Sequence, residues 1–206
     1  MRFAVSYPNL GKVSLYQFKD DLVIDEDSGS SRIELIDEVY SESGVKGDMF
    51  GQSLSVDIFA NFIIVGAKGY ARAYWLRPSP SSVAGFKLIP AGGAILGDES
   101  DGNEFGAVVA SGRVPPHNGG CVSCPFILDK QRIAISSPSY ADGRGRVILY
   151  QYNEDQEIWE TLASPIEGDA VGDEVAQAVR LSPDMGSVAV TSALGEVRVF
   201  RLLALQ

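Results

Sequence analysis

Gly145-Arg146-Val147-Ile148-Leu149-Tyr150-Gln151-Tyr152 decides the fold, because the chain contains it in four versions. The others are Gly11-Lys12-Val13-Ser14-Leu15-Tyr16-Gln17-Phe18, Gly69-Tyr70-Ala71-Arg72-Ala73-Tyr74-Trp75-Leu76 and Gly195-Glu196-Val197-Arg198-Val199-Phe200-Arg201-Leu202. A second recurring stretch precedes each: Phe3-Ala4-Val5-Ser6, Ile63-Ile64-Val65-Gly66, Ile133-Ala134-Ile135-Ser136 and Val188-Ala189-Val190-Thr191. Turn residues join the two, as in Pro8-Asn9-Leu10-Gly11 and Ala141-Asp142-Gly143, so each pair reads as a β-hairpin.

The two hairpin strands differ in pattern. The first is apolar with small residues interleaved, which predicts burial on both faces beside close neighbours. The second alternates. Val13, Leu15, Val147, Leu149, Val197 and Val199 share one face; Lys12, Ser14, Arg146, Glu196 and Arg198 share the other. This predicts a second strand lying further out.

A leading strand precedes three of the hairpins. Its introductions are Gly47-Asp48-Met49-Phe50-Gly51, Gly102-Asn103-Glu104-Phe105-Gly106 and Gly172-Asp173-Glu174-Val175-Ala176. The strands that follow are expected at 52–56, 107–110 and 177–181. A more polar trailing strand follows three hairpins, at 32–36, 86–89 and 159–162, as suits an outer edge.

No helical period competes with this order. Short strands in fours, repeating every few tens of residues, predict an all-β chain: a β-propeller of four-stranded antiparallel blades, with about three and a half blades present. The units run approximately 1–40, 41–94, 95–165 and 166–206, within one partial propeller spanning 1–206. A β-sandwich also has short, evenly spaced strands, but has no reason to repeat one hairpin. The first unit lacks a leading strand and the last a trailing one. The expectation is an open arc whose ends meet the rest of a longer chain or self-associate.

The chain of 206 residues carries 17 basic and 27 acidic residues, a formal charge of −10. That balance disfavours nucleic acid, whose phosphates are bound by Lys and Arg. No apolar run approaches the roughly 20 residues of a membrane span. Met1-Arg2 runs directly into Phe3-Ala4-Val5 with no secretory signal. Either export by that route is absent or the start of a longer chain is missing; the repeat phase favours the second.

Phe50-Gly51 and Phe105-Gly106, with Gly66-Ala67 and Ser136-Ser137-Pro138 further on, resemble the FG-GAP repeats of integrin-α-like propellers. Ile166-Glu167-Gly168-Asp169-Ala170-Val171-Gly172-Asp173 and Leu181-Ser182-Pro183-Asp184 are similar to FG-GAP-type propellers of some algae and other microbial eukaryotes. The resemblance implies a propeller that displays binding loops, usually outside the cell or on its surface, and rarely catalyses.

Such blades often hold calcium through an Asp-rich loop between leading strand and hairpin. Calcium needs about six or more oxygens, several of them carboxylate. Asp57-Ile58-Phe59-Ala60-Asn61 and Pro183-Asp184-Met185-Gly186 lack that cluster. Asp98, Asp101 and Asn103 have the chemistry but precede a leading strand. For zinc, the candidates are His117, Cys121 and Cys124, in an insertion from Gly112 to Lys130. They are three ligands where a structural site takes four. A local disulfide or two plain thiols fit that pair better. The expectation is no bound metal or cofactor. Asp48, Asn103 and Asp173 read as side chains closing turns onto backbone N–H groups.

The one histidine and the lack of a Gly-x-Ser-x-Gly elbow give nucleophilic catalysis no support. The expected function is a non-enzymatic binding or adhesion scaffold for protein or carbohydrate ligands. A glycosidase-like enzyme on the same fold is the alternative, since acids are plentiful. Tyr7, Lys68, Tyr70, Tyr140 and Arg144 are all expected on the loops between the two hairpin strands. Their aromatic and basic mix on an acidic chain makes them the expected ligand face. Trp75 and Trp159 fit inter-sheet packing better than sugar stacking, as do Tyr16, Tyr74, Tyr150 and Phe200, which form one repeat column.

Overall fold

The computed structural model describes residues 1–19, 32–42, 47–57, 61–101, 103–112, 131–182 and 185–202. Among these, 16 strands form four antiparallel sheets, and the helical elements are three short turns at Pro8–Leu10, Glu99–Asp101 and Tyr140–Gly143. The first sheet is β1 (Arg2–Tyr7), β2 (Lys12–Lys19) and β3 (Arg32–Tyr40), in that order. The second is β4 (Ser53–Val56), β5 (Phe62–Ala67), β6 (Tyr70–Pro78) and β7 (Phe86–Pro90), with β8 (Ile95–Leu96) also on β6. The third is β9 (Val109–Gly112), β10 (Arg132–Ser137), β11 (Arg146–Asn153) and β12 (Ile158–Thr161), with β13 (Ile166–Glu167) also on β11. The fourth is β14 (Val179–Leu181), β15 (Ser187–Thr191) and β16 (Val197–Arg201).

The four hairpins share one register. Phe3 pairs with Tyr16, Ile63 with Tyr74, Ile133 with Tyr150 and Val188 with Phe200. The repeat in sequence is therefore a repeat in space. Leading strands β9 and β14 begin two residues later than the pattern predicts. Hydroxyls in the small-residue column explain the delay. Ser136 Oγ accepts from Val108 N–H at 2.9 Å, and Thr191 Oγ1 from Ala178 N–H at 2.9 Å. A side chain thus takes one N–H of the first rung of each ladder, while the reverse backbone bonds, Ser136 N–H to Val108 O at 2.9 Å and Thr191 N–H to Ala178 O at 3.0 Å, remain.

Sheets pack in sequence order through three apolar layers. Val13 and Leu15 of the first sheet meet Ile63, Val65 and Tyr74 of the second. Ile64, Ala71 and Ala73 of the second meet Val109, Ile133, Ile135 and Tyr150 of the third. Ala134, Val147 and Leu149 of the third meet Val179, Val188 and Val190 of the fourth. The leading strands β4, β9 and β14 also pack side by side. Every residue of β5 and β10 is buried, as the small-residue pattern predicts, because sheets cover them on both faces.

In the second hairpin strands, part of the polar face is buried. Ser14 is fully buried and donates to Glu38 Oε1 at 2.8 Å. Arg146 is also buried. The third sheet lies between the second and the fourth, so both faces of β11 are interior, whereas Ser14 in β2 is hydrogen-bonded to its own ladder partner Glu38. Val197 and Val199 depart in the opposite sense: 65% and 68% exposed, they lie on a face of the fourth sheet that no other sheet covers.

Close packing also explains the "FG" glycine. Gly106 has φ +89°, and a Cβ there would sit 2.4 Å from the carbonyl oxygen of Tyr70. Only glycine combines that left-handed backbone with that approach.

Candidate functional site

The segments before the leading strands interlock with the hairpin turns at one end of the sheets. Lys68 N–H donates to Asp48 O at 2.7 Å and Gly69 N–H to Phe105 O at 3.0 Å. Glu174 N–H donates to Gly143 O at 2.8 Å and Val175 N–H to Arg144 O at 3.1 Å. Phe50, Phe105 and Val175 anchor these segments, each only 1% exposed. Asp48 accepts from Phe50 N–H at 3.1 Å, and Asp173 from the N–H groups of Asp169 and Ala170 at 2.8 and 2.9 Å. Both aspartates therefore close turns, in keeping with the structural reading.

A polar cleft of about 410 Å³ opens among these turns, between the approaches to β4, β9 and β14. Gln52, Lys68, Asn103, Glu104, Ser139, Glu174 and Gln177 supply its polar groups, with Ala107, Val108 and Pro138 as the apolar wall. Ser139 Oγ donates to Glu104 Oε2, joining the third sheet's hairpin turn to its own leading segment. Gln177 Nε2 donates to Glu174 Oε2 at 2.8 Å. The buried Gln52 Nε2 has no hydrogen-bond partner among the described residues. The cleft combines two carboxylates, one ammonium and three primary amides. Such a set can hydrogen-bond a polyhydroxylated or peptide-like ligand from several directions.

Of the five residues expected on a ligand face, only Lys68 lines this cleft. Tyr70 stacks on Phe50 with centroids 6.4 Å apart, and its hydroxyl donates to Asp48 Oδ2 at 2.8 Å. It lines a separate, mostly apolar recess of about 270 Å³, beside the Arg72–Glu42 ion pair of 2.9 Å. The Tyr140 ring lies under the Arg146 guanidinium at 4.1 Å. Arg144 is half-buried, its backbone tied to Val175. Tyr7 lies on the first sheet beside Lys12 Nζ, 4.8 Å from its ring centroid. The turns do converge, but the Tyr70, Tyr140 and Tyr7 rings lie against other side chains away from the cleft.

The remaining cleft residues had a signal in the sequence. Gln52, Ala107 and Gln177 each follow the Gly51, Gly106 or Ala176 that ends the recurring motif. Glu104 and Glu174 occupy one repeat column within it.

The acidic candidates for calcium are occupied by an arginine. Arg146 donates through Nε to Asp101 Oδ1 at 2.7 Å, and through Nη2 to Asp101 Oδ2 at 2.5 Å and Asp98 Oδ2 at 2.6 Å. Burial works against the charge of Arg146, but bonds to Asp101 and Asp98 outweigh it and raise its pKa. Ser100 first and Arg146 second hold Asp98 down at about 2. A divalent cation here would face a guanidinium, so this donor set does not suit calcium. Asn103 lies instead in the cleft wall. Among the described residues, no three His, Cys, Asp or Glu side chains group as a metal site requires. His117, Cys121 and Cys124, with the insertion that carries them, lie outside the described residues, as do Pro183 and Asp184.

Trp75 and Trp159 join Phe62 and Tyr152 between the second and third sheets. Phe62–Trp75 centroids are 4.7 Å apart and Tyr152–Trp159 centroids 5.0 Å. Trp159 Nε1 donates to Ala91 O at 2.8 Å. Tyr74 and Tyr150 are buried in the inter-sheet layers, with Phe200 against the third. Among the described residues, no helix is long and apolar enough to cross a membrane.

No family model and no curated protein matches the chain. Among solved structures, it is similar to a functionally unknown protein from Desulfotomaculum acetoxidans DSM 771, at a TM-score of 0.50 and 13% identity. The likeness covers 96% of this chain and 46% of that one, so the chain spans about half that protein's length and shares its fold.

Proposed function

We propose that the four sheets are blades of a partial FG-GAP-type β-propeller, and that the cleft at the mouth of its axis binds ligand without catalysis. Three features support the blade reading. The leading strands β4, β9 and β14 pack together, each sheet adds strands outward in chain order, and one hairpin register repeats in all four. A propeller axis is lined by leading strands in this way.

The observation that carries the binding reading is the cleft itself. Hydrogen-bonding groups from the second, third and fourth sheets converge on it, and the buried Gln52 amide nitrogen beside it has no partner among the described residues. The ligand class is carbohydrate or peptide, and the role is that of a binding or adhesion scaffold. Placement outside the cell or at its surface is part of the same proposal.

The test is binding of the wild-type chain to glycan and peptide arrays, followed by calorimetry on each hit. Lys68→Ala and Glu174→Gln should each weaken a true cleft ligand by about tenfold, the loss of roughly one charge-assisted hydrogen bond. A ligand whose affinity neither change alters binds elsewhere, and its discovery would overturn the assignment. Turnover of a glycoside panel, lost in Glu104→Gln, would replace the scaffold with the enzyme.

A further inference from the structure

Among the described residues, the first and fourth sheets each leave a face uncovered, and these faces are the two halves of an interface built three times between the four sheets. In the repeat, Phe3, Val5 and Tyr16 of the first sheet correspond to Ile63, Val65 and Tyr74, to Ile133, Ile135 and Tyr150, and to Val188, Val190 and Phe200. In the last three sheets this column set packs against the preceding sheet. In the first sheet it forms a half-exposed face, with the Phe3 and Tyr16 rings stacked at 5.5 Å.

The opposite set corresponds equally well. Ala189, Val197 and Val199 of the fourth sheet take the places of Ala4, Val13 and Leu15, and of Ala134, Val147 and Leu149. In the earlier sheets this set packs against the following sheet: Val13 and Leu15 are both 0% exposed. Val197 and Val199, at 65% and 68%, have no such cover. The fourth sheet thus presents small aliphatics bordered by the exposed Arg180 and Arg201, where the first presents an aromatic and β-branched surface beside the Lys12–Glu38 ion pair. That is the pairing found within the molecule between Val13 with Leu15 and Ile63 with Tyr74.

We propose that a second copy of this chain docks head to tail, its first sheet covering the Ala189–Val197–Val199 face of the fourth. The occupant is a second copy because that surface is held on the same chain, in the residue columns that already pack on such a face three times. The contact is heterologous, so it closes into a ring if the rotation per copy permits and otherwise extends. Burial of apolar side chains at both faces drives it. It depends on neither the cleft nor the propeller axis, so its outcome is independent of the function proposed above.

The test is sedimentation of the whole chain over a range of concentrations. Wild type should gain mass with concentration. Val199→Arg blocks the tail and Tyr16→Arg the head; each should weaken self-association by at least about a hundredfold, because docking would bury an unpaired charge. Both positions lie on uncovered faces, and circular dichroism and thermal unfolding check that each variant folds. Leu35→Arg, beside Tyr16 in the ladder and 44% exposed, replaces Tyr16→Arg if the latter does not fold. The decisive sample is an equal mixture of tail-blocked and head-blocked chains. Each retains one good face, so the mixture should form one-to-one dimers and nothing larger. A wild type that stays at single-chain mass at every concentration overturns the proposal. So does association that survives either arginine, or a mixture that remains monomeric.

Discussion

Arg146 and Asp101 form a two-pronged ion pair in which Asp101 is fully buried and Arg146 only 7% exposed. The pair joins β11 to the short turn that leads toward β9, and Tyr140 covers its outer side. Asp101 also accepts from the Asp98 N–H at 2.9 Å, so its oxygens are committed to structure.

Breaking that pair from one side leaves a buried charge without compensation. Arg146→Met should lower stability by about 3–5 kcal/mol. Adding Asp101→Asn removes the stranded charge while keeping an acceptor for the Asp98 N–H. The double variant should therefore be more stable than Arg146→Met alone. Urea unfolding of the two variants reads the difference directly, and a double variant less stable than the single would refute the account. Calcium should leave the wild-type melting temperature unchanged if the site belongs to Arg146.

Gly106→Ala should be among the most damaging small substitutions. The new Cβ would meet carbonyl oxygens of Tyr70 at 2.4 Å and Ala67 at 2.6 Å, at a φ of +89°. Gly85 offers the control: its φ is +75° but nothing lies within 4 Å. Gly85→Ala should cost about 1 kcal/mol from backbone strain alone, and Gly106→Ala about 3 kcal/mol or more. Thermal melts that rank the two the other way would show that the close approach does not matter.

The strand order was legible because the hairpin recurs with its small residues in fixed columns, and those columns are where sheets press together. The short strands β8 and β13 were not, because two residues carry no period. Only the recurrence of Ile95-Leu96-Gly97-Asp98 as Ile166-Glu167-Gly168-Asp169 marks them. The cleft was half legible. Turn chemistry placed Lys68 at the end of the sheets where the cleft opens, but nothing in composition says that the Tyr70 hydroxyl turns back to Asp48. Nor does alternation distinguish a strand facing water from one between two sheets, so the burial of Arg146 in β11 had no signal in the pattern. Gln52, Glu104 and Gln177 gather only when three sheets come together, and single-strand patterns do not encode that meeting.

Glu38 gives the clearest pH dependence. Lys12 first, then Tyr40 and Ser14, hydrogen-bond its carboxylate and hold it down at about 2, from an ordinary 4.5. A depressed carboxylate contributes stability above its unfolded value, and that contribution is lost as the pH falls through its folded value. The window is therefore from about pH 4.5 down to about pH 2, and Asp98 contributes in nearly the same range. Carbon-detected NMR titration should place the Glu38 midpoint near the bottom of that window. In Lys12→Met it should move upward, because the principal donor is gone. An unmoved midpoint would show that Lys12 does not hold the carboxylate.

The last expectation concerns the edges of the leading strands. β4 and β9 each end a sheet, and an unpaired strand edge presents N–H and C=O groups that need partners. The second sheet supplies them to the third. Ser55 Oγ accepts from the Ser111 N–H at 3.0 Å and lies 3.0 Å from Ser111 Oγ, while Ser53 Oγ donates to Gly106 O at 2.8 Å. Side chains of one leading strand thus finish the ladder of the next. Ser55→Ala removes the acceptor and should cost about 1–3 kcal/mol, the penalty for an unsatisfied buried donor. Ser55→Thr keeps the hydroxyl and should recover most of that loss. Hydrogen exchange at the Ser111 amide separates this from a general loosening. The amide should exchange faster in Ser55→Ala than in wild type, by more than global destabilisation explains, and return toward wild type in Ser55→Thr. Equal exchange in all three proteins would mean that the edge is satisfied by something other than Ser55.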